Sequence, residues 1–139
     1  MLPSGVPLTY RIDSAAGMLF VTGSGIISQD ERMGTMKAWM SDPAFRPGMN
    51  TLCDFSESLS APTLTELQEL IGFIRQHAAA IGRKKLALIT SRPLTFGAAR
   101  QFEVLADGAP LDIQVFSTRE AAWHWLTGQS SDARWEGAS

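Results

Sequence analysis

The sequence has little of several things, and each shortage excludes a class of protein. Cys53 is the only cysteine among 139 residues, so no intrachain disulfide can form and no thiolate cluster can hold a metal. The formal net charge of −2 provides no basic surface for nucleic acid. No apolar run approaches the roughly 20 residues of a membrane-spanning helix. Residues 1–5, MLPSG, also lack the features of a secretory signal. We therefore expect a soluble cytoplasmic protein that neither binds nucleic acid nor inserts into a membrane.

What the sequence does contain is a regular alternation, from residue 18 to residue 127, of short apolar runs and segments with helical periodicity. The apolar runs are Leu19–Val21, Thr51–Cys53, Lys85–Ile89 and Asp112–Phe116. Parallel strands need long crossover connections, so this alternation predicts βαβ units. Ahead of it, Leu8, Tyr10 and Ile12 alternate with polar residues, which predicts a strand that forms an antiparallel hairpin with Met18–Gly23. We predict one α/β domain over residues 1–128.

The expected sheet is mixed, mainly parallel, and has about five strands. The run Leu86–Ile89 is apolar at every position, which predicts a central strand covered on both faces. Short connections favour sequential strands lying side by side. Right-handed crossovers advancing in one direction then place about four helices mainly on one face. The other face should be only partly covered, with Phe20 and Phe116 pointing toward it. Residues 129–139 are predicted to be a flexible tail.

Three segments resemble a group of small uncharacterised bacterial proteins. They contain DPAFRPG and LCD within residues 42–54, FGAARQFE at 96–103, and VF with EAAWHWL within 115–126. That group is similar to proteins of the SpoIIAA-like fold, the architecture of STAS domains (sulfate transporter and anti-sigma-factor antagonist). The resemblance spans residues 8 to 127 and implies a mixed sheet of four or five strands with helices packed on it. It implies no particular activity, because the group has none in general.

STAS antagonists of the anti-sigma-factor type carry a phosphorylatable serine where the third strand gives way to the next helix. The matching region here is Asp54–Ser58, which makes Ser56 and Ser58 the candidate serines. This chain departs from the family pattern, because a polar loop from Ser56 through Pro62 is expected to separate the strand from the helix. The departure argues against a phosphorylation switch at either serine.

The candidate binding residues lie where parallel strands are predicted to end, the edge at which open α/β sheets bind ligands. They are Asp54, Ser56, Ser58, Thr90, Ser91 and Arg92. In a functional interpretation, Asp54 handles an anion or a proton, and the helix start after Thr90 offers N–H groups to an anion. In a structural interpretation, Asp54 accepts hydrogen bonds from loop amides or pairs with Arg92 or Arg100, and the helix start is simply capped. We favour the structural interpretation, with Arg100 as an ion-pair partner rather than a substrate clamp.

A methionine stripe is the remaining candidate feature. Met33, Met36 and Met40 recur at helical spacing, which favours core packing or, alternatively, an adaptable surface for a partner or an apolar ligand. Together with Phe20 and Phe116 they make up the candidate apolar surface. We expect no catalytic residue, cofactor or metal, because no convergent acid, base and nucleophile set or metal-ligand spacing occurs.

Two functions remain open. The first is a non-enzymatic regulatory or protein-interaction domain of STAS-like type, acting in signalling through a protein partner or as a homodimer. The second is a carrier or sensor of a small apolar ligand or lipid, held between the methionine-bearing helix and the sheet. An enzyme ranks last, because the sequence shows no catalytic set.

Overall fold

The computed structural model describes residues 6–129, and the secondary structure follows the predicted alternation. The strands are β1 (Leu8–Asp13), β2 (Met18–Gly25), β3 (Asn50–Ser58), β4 (Lys84–Ile89) and β5 (Leu111–Phe116). The helices are α1 (Gln29–Ser41), α2 (Leu64–Gln76), α3 (Ala78–Ile81), α4 (Pro93–Leu105) and α5 (Arg119–Thr127). Apart from Gln129, the predicted flexible tail lies outside the described residues.

The strands form one sheet in the order β1-β2-β3-β4-β5, so each lies beside its predecessor in the sequence. β1 pairs antiparallel with β2, and the remaining pairs are parallel. In the central pair, Thr51 lies opposite Leu86 and Asp54 lies opposite Ile89. This confirms the predicted mixed, mainly parallel sheet with an N-terminal hairpin. The C-terminal ends of β2 to β5 meet at one edge of the sheet, which we call the carboxyl edge.

Hydrophobic clusters lie on both faces of the sheet, and the helices divide unequally between them. Helices α1 to α4 contribute to the cluster on the first face, with Trp39, Ile74 and Ala99 among its buried members. Only α5, among the described helices, packs on the second face. Helices α1, α2 and α4 connect parallel strands, and right-handed crossovers in one direction keep them on one side. Since α5 follows the last strand and makes no crossover, it is free to cover the other side.

The predicted exposure of Phe20 on the second face is wrong. Phe20 points toward that face, but the Trp123 indole stacks on it with ring centroids 6.3 Å apart, and only 5% of Phe20 remains exposed. Phe116 is half-buried, with its ring 5.7 Å from that of Trp125. Helix α5 therefore covers the part of the sheet that the sequence pattern leaves bare.

Local sequence features determine where the helices and strands around the first face begin and end. Helix α2 begins at a capping box, in which Thr63 and Glu66 satisfy each other's backbone N–H groups. Gly82 joins α3 to β4 at a φ of 74°, and a Cβ there would lie 2.5 Å from the Gly48 nitrogen. Only glycine fits both the backbone angle and this close approach. The turn holds the amino end of β4 against the loop before β3.

Candidate functional site

A largely apolar cavity of about 190 Å³ lies between the first face of the sheet and helices α1, α2 and α4. Its apolar lining includes Val21, Leu88, Trp39, Leu70, Ile74 and Phe102. Apolar cavities of about 150 Å³ bind molecules the size of benzene, whereas pockets for drug-sized ligands start near about 300 Å³. This cavity is therefore large enough for a small apolar ligand.

The lining of the cavity extends along the strands as well as across the sheet. Along β4 its lining runs from Lys84 at the amino end to Thr90 just beyond the carboxyl end. Six residue steps of about 3.3 Å correspond to a length of roughly 20 Å. At the carboxyl edge the lining includes residues 60–62, in the loop between β3 and α2. The lining therefore spans the length that an extended hydrocarbon chain needs.

Lys84 lies at the amino end of this cavity, and its side chain is buried. Only 5% of the residue is exposed, and Nζ has no hydrogen-bond acceptor among residues 6–129. Instead, Nζ lies 4.4 Å from the centroid of the Trp39 ring and 5.6 Å from that of Phe45. Burial lowers the pKa of Lys84 to about 8. The amine therefore remains mostly protonated at neutral pH.

Other polar side chains of the cavity are also buried, among them those of Cys53, Ser58 and Thr90. Burial raises the pKa of Cys53 to about 12, so its thiol stays protonated and unreactive. Ser58 and Thr90, predicted at the strand-edge site, line the cavity instead. The predicted polar loop begins too early, because β3 continues to Ser58 by pairing with β2, where Ser58 lies opposite Gly25.

A separate polar cluster surrounds Asp54 at the carboxyl edge, on the second face. The buried Asp54 carboxylate accepts hydrogen bonds at Oδ1 from the Ser56 hydroxyl, at 2.6 Å, and from the Ser56 N–H, at 2.9 Å. Arg119 Nε donates to Oδ2 at 2.6 Å. Burial alone would raise the pKa of Asp54, but the bonds from Ser56 and Arg119 outweigh it and lower the pKa. Asp54 is therefore a paired carboxylate, as the structural interpretation predicted.

The predicted arginine partner of Asp54 is wrong, whereas the predicted hydrogen bond from a backbone amide is confirmed by the Ser56 N–H. Arg100 forms its ion pair with Glu103, 3.0 Å away on the same helix, and the pair that the structure shows for Asp54 is with Arg119. Arg92 is exposed and precedes the first turn of α4. Sequence reasoning missed Arg119 because the face covered by α5 was undetermined. The sequence did offer one signal for this pair, an arginine in the first turn of the helix that follows β5.

Of the remaining strand-edge candidates, Ser91 joins the Asp54 cluster. Its hydroxyl donates to the Ser56 carbonyl oxygen at 2.5 Å, which ties the loop after β4 to β3. The structure thus brings Asp54, Ser56 and Ser91 together and places Ser58 and Thr90 elsewhere. Hydrogen bonds within the cluster satisfy the Asp54 carboxylate, which favours a structural role for the cluster.

The candidate apolar surface is not a single surface. Met36 lines the cavity, and Met36 and Met40 pack against the hydrophobic cluster of the first face. Met33 is also half-buried on α1, whereas Phe20 and Phe116 lie on the second face. The methionine helix therefore contributes to core packing and, through Met36, to the cavity wall.

Two further findings concern the described part of the chain. Residues 6–129 contain no group of three or more His, Cys, Asp or Glu side chains placed to hold a metal ion. Among the helices in that range, none has the length and apolar character needed to cross a membrane.

Comparison with known proteins identifies the fold. No protein-family model and no curated protein matches this chain. The structure is similar to that of an uncharacterised protein of the DUF3478 family, with a SpoIIAA-like fold, from Shewanella loihica PV-4. The two share 16% sequence identity with a TM-score of 0.57, and the match covers 86% of this chain and 93% of the other. At this identity the likeness shows the fold alone, which is SpoIIAA-like, as the sequence resemblance implied.

Proposed function

We propose that this SpoIIAA-like domain is a carrier or sensor that binds a small apolar ligand in the cavity on the first face. The observation that carries the proposal is the cavity itself, about 190 Å³ in volume and lined mostly by apolar side chains of α1, α2, α4 and the sheet. Protein interiors are close-packed, with few voids larger than a water molecule. A cavity of this size therefore favours binding over simple packing.

The carboxyl edge provides the route of entry in this proposal. There, Ser60 Oγ accepts a hydrogen bond from the Ile27 N–H at 2.9 Å, and Arg32 donates to the Ile27 carbonyl oxygen at 2.9 Å. Arg32 also lies 3.5 Å from Glu66 on α2. These polar contacts join the loops after β2 and β3 to the starts of α1 and α2. Breaking a few of them would separate the loops more easily than unpacking the core would.

Filling the cavity should abolish binding without unfolding the protein. Ala99 is buried on α4 and lines the cavity, so leucine at this position occupies space that the ligand needs. We expect Ala99→Leu to weaken the binding of the fluorescent probe N-phenylnaphthylamine about tenfold or more. Its free energy of unfolding should stay unchanged or rise, as is usual for cavity-filling substitutions. Fluorescence titration and urea unfolding measure the two effects.

The matched control is Ala38→Leu, because Ala38 is exposed on α1 and does not line the cavity. This variant should bind the probe as the wild-type protein does. Unchanged binding by Ala99→Leu, or no binding by the wild-type protein, would contradict the proposal.

A second candidate function is a regulatory interaction domain that associates with a second copy of itself. Large apolar side chains that are half or more exposed follow the C-terminal ends of β2, β3 and β4: Ile26, Leu59, Leu64, Leu94 and Phe96. Exposed apolar groups concentrated at one edge are typical of interaction surfaces. The SpoIIAA-like fold, which STAS-type regulators share, is compatible with this role.

Self-association would be visible as a change of mass with concentration. We expect the wild-type protein to be dimeric at high concentration by size-exclusion chromatography with light scattering, and Leu59→Ser/Leu94→Ser to be monomeric. Val104→Ser is the matched control, because Val104 is equally apolar and exposed but lies near the other end of α4. A wild-type protein that stays monomeric at every concentration would contradict this candidate.

A further inference from the structure

We propose that the ligand of the cavity is a linear monocarboxylic acid, bound with its carboxylate at Lys84 and its hydrocarbon chain directed toward the carboxyl edge. The proposal rests on the function proposed above, and it adds the chemical class and the orientation of the ligand. Four observations carry it: the position of Lys84 at one end of the β4 lining, the burial of the residue, the lack of an acceptor for Nζ among residues 6–129, and the span of the apolar lining along β4.

The first step of the argument concerns charge. A buried ammonium group is unfavourable unless a counter-ion or hydrogen-bond acceptors replace the water it has lost. Within the described residues, Lys84 Nζ makes cation–π contacts with the Trp39 and Phe45 rings. These contacts compensate only part of the cost of burying the charge. None of the described residues that line the cavity is acidic. The missing counter-charge is therefore one that a ligand can supply.

The second step identifies the anion. Lys84 and Arg32 are the cations among the described lining residues, and Arg32 is already held by Glu66 and by the Ile27 carbonyl. A single ammonium group matches a carboxylate, which carries one negative charge. A phosphate group carries more charge and is usually bound by several donors or by arginine forks. The lone Lys84 therefore favours a carboxylic acid over a phosphorylated ligand.

The third step concerns the rest of the ligand. The lining residues at the two ends of β4, Lys84 and Thr90, lie roughly 20 Å apart, with apolar side chains such as Leu86 and Leu88 between them. This lining matches a flexible hydrocarbon chain along its whole length. The pKa of Lys84, which burial lowers to about 8, keeps the amine mostly charged at pH 7, and a bound carboxylate would raise that pKa again.

The test compares decanoic acid with decanol, which share a chain and differ in the head group. Displacement of N-phenylnaphthylamine is measured for the wild-type protein, for Lys84→Met and for the control Lys37→Met, which removes an exposed lysine on α1. In the wild-type protein and the control, we expect the acid to bind about ten- to hundredfold more tightly than the alcohol at pH 7. Lys84→Met should lose this preference while binding decanol as before.

The pH dependence provides an independent readout. As pH rises from 7 to 10, Lys84 loses its charge, so the affinity for decanoic acid should fall about tenfold or more. The affinity for decanol should not change.

The outcomes separate this inference from the proposed function. If decanol displaces the probe but the wild-type protein shows no preference for the acid, the cavity binds apolar ligands and the assignment to Lys84 is wrong. The same holds if Lys84→Met keeps the preference. If the probe binds but neither compound displaces it, this inference is wrong, and if the probe does not bind the wild-type protein, the proposed function itself fails.

Discussion

Replacing Lys84 by methionine is expected to raise the free energy of unfolding by about 3 kcal/mol at pH 7. Only 5% of Lys84 is exposed in the folded protein, and its amine has no acceptor within residues 6–129. Burial therefore disfavours the charged form and lowers the pKa of Lys84 to about 8, from its usual 10.5. Methionine has a similar length and no charge, so it avoids this cost and keeps the contacts with Trp39. Urea unfolding of both proteins measures the difference.

The stabilisation should depend on pH in a defined way. Below pH 8, Lys84 is protonated in both the folded and the unfolded chain, and wild type carries the full cost. Between about pH 8 and 10.5 the unfolded chain binds the proton more strongly, so the wild-type free energy of unfolding rises with pH. The difference in free energy of unfolding between wild type and Lys84→Met should therefore shrink over this pH interval. The raised pKa of Cys53 acts in the opposite direction at higher pH, but burial, its largest cause, is the same in both proteins.

Lys37→Met again serves as the control, because Lys37 is exposed and its removal should change stability by less than about 0.5 kcal/mol. Two results would contradict this prediction: a Lys84→Met protein that is less stable than wild type, or a difference in free energy of unfolding that does not vary with pH. Either would show that other groups in the protein compensate the charge of the buried amine.

Replacing Trp123 by alanine is expected to lower the free energy of unfolding by about 3–5 kcal/mol. Trp123 is 1% exposed and stacks on Phe20, and α5 is the described helix that covers the second face. Its Nε1 has no hydrogen-bond partner among the described residues, so the loss comes from apolar packing. Loosening α5 would also weaken the ion pair that Arg119, in its first turn, makes with Asp54. Urea unfolding measures the loss.

Trp125→Ala is the matched control on the same helix. Trp125 is half-buried against Phe116, so its removal should cost distinctly less than that of Trp123. Because both tryptophans lie on the second face, neither variant should change the binding of N-phenylnaphthylamine to the cavity on the first face while the protein remains folded. A loss below about 1 kcal/mol for Trp123→Ala would contradict the packing of α5 on the sheet.

The candidate site was only partly predictable. Asp54 stands at the end of an apolar run, which was enough to predict a buried, paired carboxylate, but Arg119 lies 65 residues away in the sequence. Lys84 was missed altogether, because the predicted apolar run starts at Lys85 and a lysine beside Arg83 resembles a solvated strand end. Its burial depends on Trp39 and Phe45, which reach it from α1 and the following loop.

By itself, the sequence determined the order of strands and helices, the mainly parallel sheet and the interior place of β4, between β3 and β5. These follow from hydrophobic periodicity, capping residues and the handedness of crossovers, which are local properties of the chain. Only the tertiary structure decided that α5 covers the second face, that Arg119 pairs with Asp54, and that Lys84 lies at the end of an apolar cavity. Each of these depends on how segments far apart in the chain pack together, and such packing leaves no periodic signal in the sequence.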